Sequence, residues 1–307
     1  MRILVTGAAG FAGRHLVPEL IRHGHTCVGL DIRYDRPVPG LEDAFTGDLQ
    51  EAEAVSRAVA QATPDACIHL GGLAFVPAGR FHPNLMLSVN TLGTYNLLEA
   101  FREYDPDARI LVISSAQIYA LRKSDKPIRE ENRPSPIGMY SISKAASDMA
   151  ALAFHDRYDM HVMTARPNNH TGPGQSPQFV VPSFARQVKA IALGKQRPVM
   201  KVGNLESERV FTDVRDVVRA YRLLIEKGEA GQAYNISCES IIKIRTVLDS
   251  LCKLAGVSPD IQVDPAKLRP TDRSPVLDIT KLKTATGWEP RIALDDTLRD
   301  IYENIEI

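Results

Sequence analysis

Gly7-Ala8-Ala9-Gly10-Phe11-Ala12-Gly13 decides the fold. It follows Arg2-Ile3-Leu4-Val5-Thr6, a short apolar run that reads as a buried strand. It precedes Arg14-His15-Leu16-Val17-Pro18-Glu19-Leu20-Ile21, whose apolar residues recur at helical spacing. In that context Gly7 permits a tight turn out of the strand, Gly10 lets the backbone approach a pyrophosphate, and Gly13 lets the helix pack closely on the sheet. The helix N-terminus, with Phe11 and Ala12 in the same turn, then faces negative charge.

A second apolar run, His25 to Leu30, ends in Asp31, 18 residues after Gly13. An acid there accepts hydrogen bonds from the adenosine ribose hydroxyls of a dinucleotide, and so favours NAD(H) over NADP(H). Ile32 and Arg33 follow in the same cofactor-binding segment. Arg33 and Arg36 supply the opposite option, cations for a 2′-phosphate.

The bulk numbers narrow the partners. At 307 residues the chain is long enough for one large domain or a large one with a smaller lobe. Lys plus Arg and Asp plus Glu are 37 each, so no basic excess points to nucleic acid or anionic lipid. The first strand begins at residue 2, with no leader ahead of it, and no apolar stretch reaches membrane-spanning length. The expectation is a cytoplasmic protein. Cys27, Cys67, Cys238 and Cys252 have the scattered spacing of reduced structural thiols, and the histidines form no metal-ligand pattern.

Residues 1–167 alternate strand-like runs (65–70, 109–114 and 160–166) with helical stretches (90–104 and 140–157). This is the pattern of an α/β protein with a Rossmann-type, doubly wound parallel sheet. From 168 prolines break that texture, and residues 168–307 read mainly as a smaller C-terminal substrate-binding lobe, with elements near 205–236 returning to the sheet. Asp213 is placed to cap one such helix, 214–221.

The reacting centre lies in Tyr140-Ser141-Ile142-Ser143-Lys144. Tyr140 and Lys144 are four apart and share a helix face, so the ammonium can stabilise the phenolate and bring the tyrosine toward working pH. Ser115 closes the 109–114 strand, at the sheet edge where ligands bind, and its hydroxyl can hold the reacting oxygen.

These residues resemble the extended short-chain dehydrogenase/reductases that act on nucleotide sugars. The resemblance runs through the glycine turn, Gly47-Asp48-Leu49, His69-Leu70-Gly71-Gly72 (usually two alanines where this chain has glycines), Asn90-Thr91-Leu92-Gly93-Thr94, Ser114-Ser115-Ala116 and the Tyr140/Lys144 pair. It implies that Asp48 and Leu49 flank the adenine, and that Lys144 also binds the nicotinamide ribose. Leu70, Gly71, Gly72, Asn90, Pro167 and His170 join the cofactor set. Residues 166–187, 202–216 and 268–270 look like the GDP-6-deoxy-4-keto-D-mannose reductases, which make GDP-D-rhamnose. That likeness implies a GDP-linked 6-deoxy-4-keto sugar held by Ser115, Gln117, Asn169, Val180, Lys189, Asn204, Arg209, Arg269 and Asp272. Arg209 and Arg269 suit the diphosphate, and Lys189 and Asp272 the guanosine. Arg209 has a second option, pairing with Glu206 or Glu208. Family members commonly form homodimers, and the apolar faces of 90–104 and 140–157 either serve that purpose or simply cover the sheet.

Dehydratases among these relatives carry an acid shortly after the catalytic hydroxyl. Here Ala116 and Gln117 follow Ser115, and neither exchanges a proton at neutral pH. Simple reduction therefore fits better than dehydration. The chain departs from the reductases at Gln117, where they often have Glu, and at Asp31, where they carry Ser-Arg-like NADP signals. Asp31, and Ser115-Ala116 with Tyr119 close behind, also resemble the NAD-dependent nucleotide-sugar 4-epimerases. A reductase yielding GDP-6-deoxy-D-talose and a nucleotide-sugar-binding protein without turnover complete the alternatives.

Overall fold

The computed structural model describes residues 1–76, 78–119, 126–238, 240–268 and 273–307. The N-terminal alternation gives β1 (Arg2–Thr6), α1 (Phe11–Arg22), β2 (Thr26–Asp31), β3 (Leu41–Thr46), α2 (Ala52–Ala62), β4 (Ala66–His69), α3 (Gly93–Tyr104), β5 (Arg109–Ile113), α4 (Met139–Tyr158) and β6 (Val162–Pro167). The chain continues through α5 (Val180–Ala192), α6 (Val214–Lys227), β7 (Ala233–Ile236), α7 (Ile244–Ala255) and α8 (Leu294–Asn304).

The strands form a seven-stranded sheet in the order β7-β6-β5-β4-β1-β2-β3, and every neighbouring pair is parallel. The order reverses at β1, between β4 and β2. That is the switch point at which an open α/β sheet leaves a crevice beyond its carboxyl ends. β3 escapes a reading by apolar runs because Leu41-Glu42-Asp43-Ala44-Phe45-Thr46 is an edge strand, largely exposed.

Two apolar clusters cover the faces of the sheet. Ile3, Val5, Ile68 and Leu111 point one way, toward α1 and α6. Leu4, Cys67, Ile110 and Val112 point the other, toward α2 and α3. This alternation along single strands is why the runs read as continuously hydrophobic. Full burial of each such side chain contributes about 1.5–3 kcal/mol. A third cluster joins α5, α7 and α8 through Phe184, Val188, Leu248, Leu251, Leu298 and Ile301, apart from the sheet. Asp213 does cap α6, its carboxylate accepting from the Arg215 N–H at 2.7 Å. No helix among the described residues is long and apolar enough to cross a membrane.

Candidate active site

Beyond the carboxyl ends of β1, β2, β4, β5 and β6 lies a single crevice of about 1170 Å³, reaching from Asp31 to Arg209 and Ser274. Its near end is the glycine turn. Gly7 has φ +70°, and its N–H donates to Leu30 O at 2.8 Å, continuing the β1–β2 ladder into the turn. A Cβ on Gly13 would stand 2.4 Å from Gly7 O and 2.6 Å from Ala8 O. No side chain caps α1 and no acid occupies its first turn, so its free N–H groups face the crevice unopposed. This cradle fits a dinucleotide pyrophosphate. Gly13→Ala should push the helix off the turn and weaken NADH affinity at least tenfold in a calorimetric titration; unchanged affinity would refute the close-packing argument.

Asp31 sits at the end of β2 with Oδ2 accepting from the Ala9 N–H (2.9 Å) and Oδ1 from the Ile32 N–H (2.8 Å). Arg33 and Arg36 line the same end, Arg33 in an exposed pair with Asp35 at 3.3 Å. Asp48 is held by the backbone and side chain of Gln50. Leu49, Leu70, Gly71 and Gly72 complete the wall, with Ile32, Phe11, Ala12, Pro167 and His170 also lining it. The His170 ring stacks on Phe11, their centroids 6.2 Å apart.

Asn90 departs from the expected role. It is 1% exposed, in a π-helical turn (Ser88–Leu92) ahead of α3, and does not line the crevice. Its amide is spent on a neighbour: Oδ1 accepts from Leu73 N–H at 2.7 Å, while Nδ2 donates to Leu73 O and to Ser143 Oγ. Asn90 therefore fixes the crevice wall to α4 instead of meeting the cofactor.

At the centre, Ser115 caps a short 3₁₀ turn, its Oγ accepting from Gln117 N–H, and lines the crevice with Tyr140, whose phenolate form its hydroxyl favours. Lys144 is 8% exposed and donates from Nζ to Ile113 O at 2.6 Å. Burial holds the Tyr140 phenol above its ordinary range, and the Ser115 hydroxyl opposes this only in part. Burial therefore outweighs the lowering expected of Lys144, whose ammonium donates to the β5 carbonyl. Tyr140 stands ready as a proton donor. Burial lowers Lys144 itself to about 8, against the pull of the Asp148 carboxylate one turn on. An unfolded lysine titrates near 10.4. This group therefore favours folding least below pH 8, and its contribution improves as pH rises from about 8 toward 10.4. Activity moves the other way: kcat/KM should fall as pH rises through about 8, where the ammonium is lost. A pH–rate profile flat to pH 9.5 would contradict this.

At the far end some of the expected residues line the crevice and others lie away from it. Gln117, Asn169, Val180 and Arg209 line the crevice. Asn169 Nδ2 donates to Ser274 Oγ at 3.0 Å, and Arg209 Nη1 to Glu208 O at 2.8 Å. Glu206 pairs with Lys243 and Arg245, and Glu208 with Arg273. Lys189 does not face the crevice: its ammonium donates to Glu303 O and Ile305 O, both at 2.9 Å, tying α5 to the end of α8. Asn204 also lies off the crevice, its Oδ1 accepting from Glu206 N–H in a turn. Arg269 and Asp272 lie outside the described residues. The sequence reading missed Tyr221, a buried ring on the crevice floor, and Phe75 with Phe179, an edge-to-face pair at 5.9 Å between the β4 loop and the start of α5. Phe179 and Tyr221 lie in stretches the sequence singled out for other reasons, and packing brings them to the site.

This arrangement is shared. The family model described as GDP-mannose 4,6 dehydratase matches residues 4–301. The chain belongs to that family. GDP-6-deoxy-D-mannose reductase of Pseudomonas aeruginosa is 36% identical over 310 residues, 99% of this chain and 97% of that one. A dTDP-glucose 4,6-dehydratase of Xanthomonas campestris is 31% identical over 94% of this chain and 88% of its own. Among solved structures, RMD from P. aeruginosa complexed with NADPH superposes with TM-score 0.87 at 34% identity, over 99% of this chain and 98% of its own. UDP-glucose 4-epimerase of Thermus thermophilus complexed with NAD gives 0.88 at 30%, with the same coverage. The chain is thus an extended short-chain dehydrogenase/reductase of the nucleotide-sugar type, an oxidoreductase with a Rossmann-like fold.

Proposed function

We propose that this enzyme reduces the 4-keto group of GDP-4-keto-6-deoxy-D-mannose to GDP-D-rhamnose. The observation that carries the reading is the composition of the crevice centre. Ser115, Tyr140 and Lys144 line the crevice together there, and Gln117 occupies the position where elimination of water needs an acid. A bound dihydronicotinamide supplies the hydride. Tyr140 gives its proton to the carbonyl oxygen as charge develops there, and Ser115 holds that oxygen toward the phenol. Lys144 keeps positive charge beneath the pair while protonated. Arg209 meets the substrate diphosphate, Asn169 and Val180 its nucleoside side, and residues 168–307 act mainly as the substrate lobe.

NAD(H) is the favoured cofactor, since the Asp31 carboxylate stands where a 2′-phosphate would bring more negative charge. The same observation sustains a second reading, an NAD-dependent nucleotide-sugar 4-epimerase. The test is loss of reduced-nicotinamide absorbance with GDP-4-keto-6-deoxy-mannose and NADH or NADPH, the product identified by NMR. A rhamnosyl product supports the proposal, a talosyl product corrects its stereochemistry, and no loss together with NAD released on denaturation favours the epimerase.

The enzyme acts as a cytoplasmic homodimer in this reading. The inner faces of α3 and α4 cover the sheet, whereas Tyr95 (45% exposed) and Met149 (64%) remain outside. Met149→Glu should convert dimer to monomer in light scattering; a wild-type monomer would dismiss the pairing.

A further inference from the structure

Arg14, in the first turn of α1, lines the crevice, and its guanidinium meets no acid among the described residues. Its Nε donates to Ala9 O at 3.0 Å, Nη1 to Pro37 O at 3.0 Å and Nη2 to Arg36 O at 2.9 Å. The first carbonyl belongs to the glycine turn. The other two belong to the loop that leaves β2 after Asp31 and carries Arg33, Asp35 and Arg36 along the crevice. The Ala9 residue is held on both sides, its N–H given to Asp31 Oδ2 and its carbonyl to Arg14.

We propose that Arg14 is a positioning residue for dinucleotide choice: it staples the 32–40 loop to the glycine turn, keeping Asp31 aimed at the adenosine ribose and fixing the backbone beneath Arg36. A planar guanidinium suits the task, because three N–H donors leave it in one rigid fork toward carbonyls on two segments. A lysine ammonium on its flexible stem does not reproduce that fork. Farther along the loop Val38 is buried in the cluster that holds Leu16, Val17 and Leu20 of α1, with Tyr34 packed against it, so Arg14 is the polar tie at residues 36 and 37. The Arg33–Asp35 pair is about three-quarters exposed at both ends, and exposed pairs of this kind hold little. With the staple removed, Asp31 keeps its own two backbone donors and Val38 its apolar anchor on α1, but residues 36 and 37 lose their polar tie to α1 and the glycine turn. Arg33 and Arg36 are then free to turn toward a 2′-phosphate.

The inference rests on the NAD(H) reading above, and the experiment separates the two. Affinities of NADH and NADPH are measured by calorimetry on the wild-type protein, Arg14→Met and Arg14→Lys, with circular dichroism melting to establish folding and with KM and kcat for each cofactor. The expected result is a wild type that prefers NADH. Arg14→Met should bind NADH about tenfold more weakly and NADPH no more than twofold more weakly, with kcat at saturation within twofold. Arg14→Lys should recover at most a third of the lost affinity. A wild type that prefers NADPH overturns the NAD(H) reading and the inference together. A wild type that prefers NADH, with equal losses for both cofactors or no loss in folded Arg14→Met, overturns the staple alone. If Arg14→Met melts out, Arg14→Lys decides: full wild-type discrimination there also overturns it.

Discussion

Tyr140→Phe should lower kcat about a thousandfold while leaving NADH affinity within twofold. The substitution removes one hydroxyl from a buried ring whose remaining atoms pack as before, and it deletes the proposed proton donor beside Ser115. General acid catalysis by a positioned side chain contributes about 10²–10⁴-fold. A thousandfold lies within that range, and Gln117, next in the crevice after Ser115, has no proton to exchange. Stopped-flow and steady-state rates on the keto sugar, with calorimetric NADH binding alongside, measure both quantities. A loss below tenfold would mean that water or another residue delivers the proton, and a parallel collapse in NADH affinity would mean that the ring's role is structural.

Asp148→Ala should destabilise the fold by about 3–5 kcal/mol, the cost of leaving a buried guanidinium without its carboxylate. Arg166 is 4% exposed and Asp148 1%. They meet in a two-point fork, Nε to Oδ2 at 3.0 Å and Nη2 to Oδ1 at 2.6 Å. Arg166 Nη1 also donates to Tyr119 Oη at 2.7 Å and Glu130 O at 2.8 Å, and the Tyr119 hydroxyl goes on to Asn235 Oδ1. One cation thus joins α4, the strand that ends in Pro167, the segment after Ser115, and β7. Equilibrium urea unfolding tests the claim. A double replacement, Asp148→Leu with Arg166→Met, should regain much of the stability, since removing both charges leaves nothing unpaired. A loss under 1 kcal/mol for Asp148→Ala would show that water reaches the pair. The same variant should shift the alkaline limb of kcat/KM to lower pH, because the Asp148 carboxylate holds Lys144 up.

The sequence by itself determined the parts whose geometry is local. The glycine turn was legible because a positive φ and a crowded Cβ position leave glycine no competitor at Gly7 and Gly13. Tyr140 and Lys144 were legible because a spacing of four sets two residues on one helix face, and Asp213 because an N-cap bonds its own first turn. The parallel sheet followed from apolar strands spaced by helices, and only the exposed edge strand β3 escaped that signal. Tertiary structure decided the rest, where a side chain had two partners to choose between. Lys189 reaches the carbonyls at 303 and 305 and not the crevice because α8 packs against α5. Asn90 serves Leu73, 17 residues away, and not the cofactor. Lys144 bonds the carbonyl of Ile113 because α4 lies against the end of β5. Asn169 finds Ser274 across 105 residues. In each case the chemistry of the donor was plain from the sequence, but the nearest acceptor was set by which elements pack together, and that choice is made by burial of apolar faces far from the polar atoms concerned.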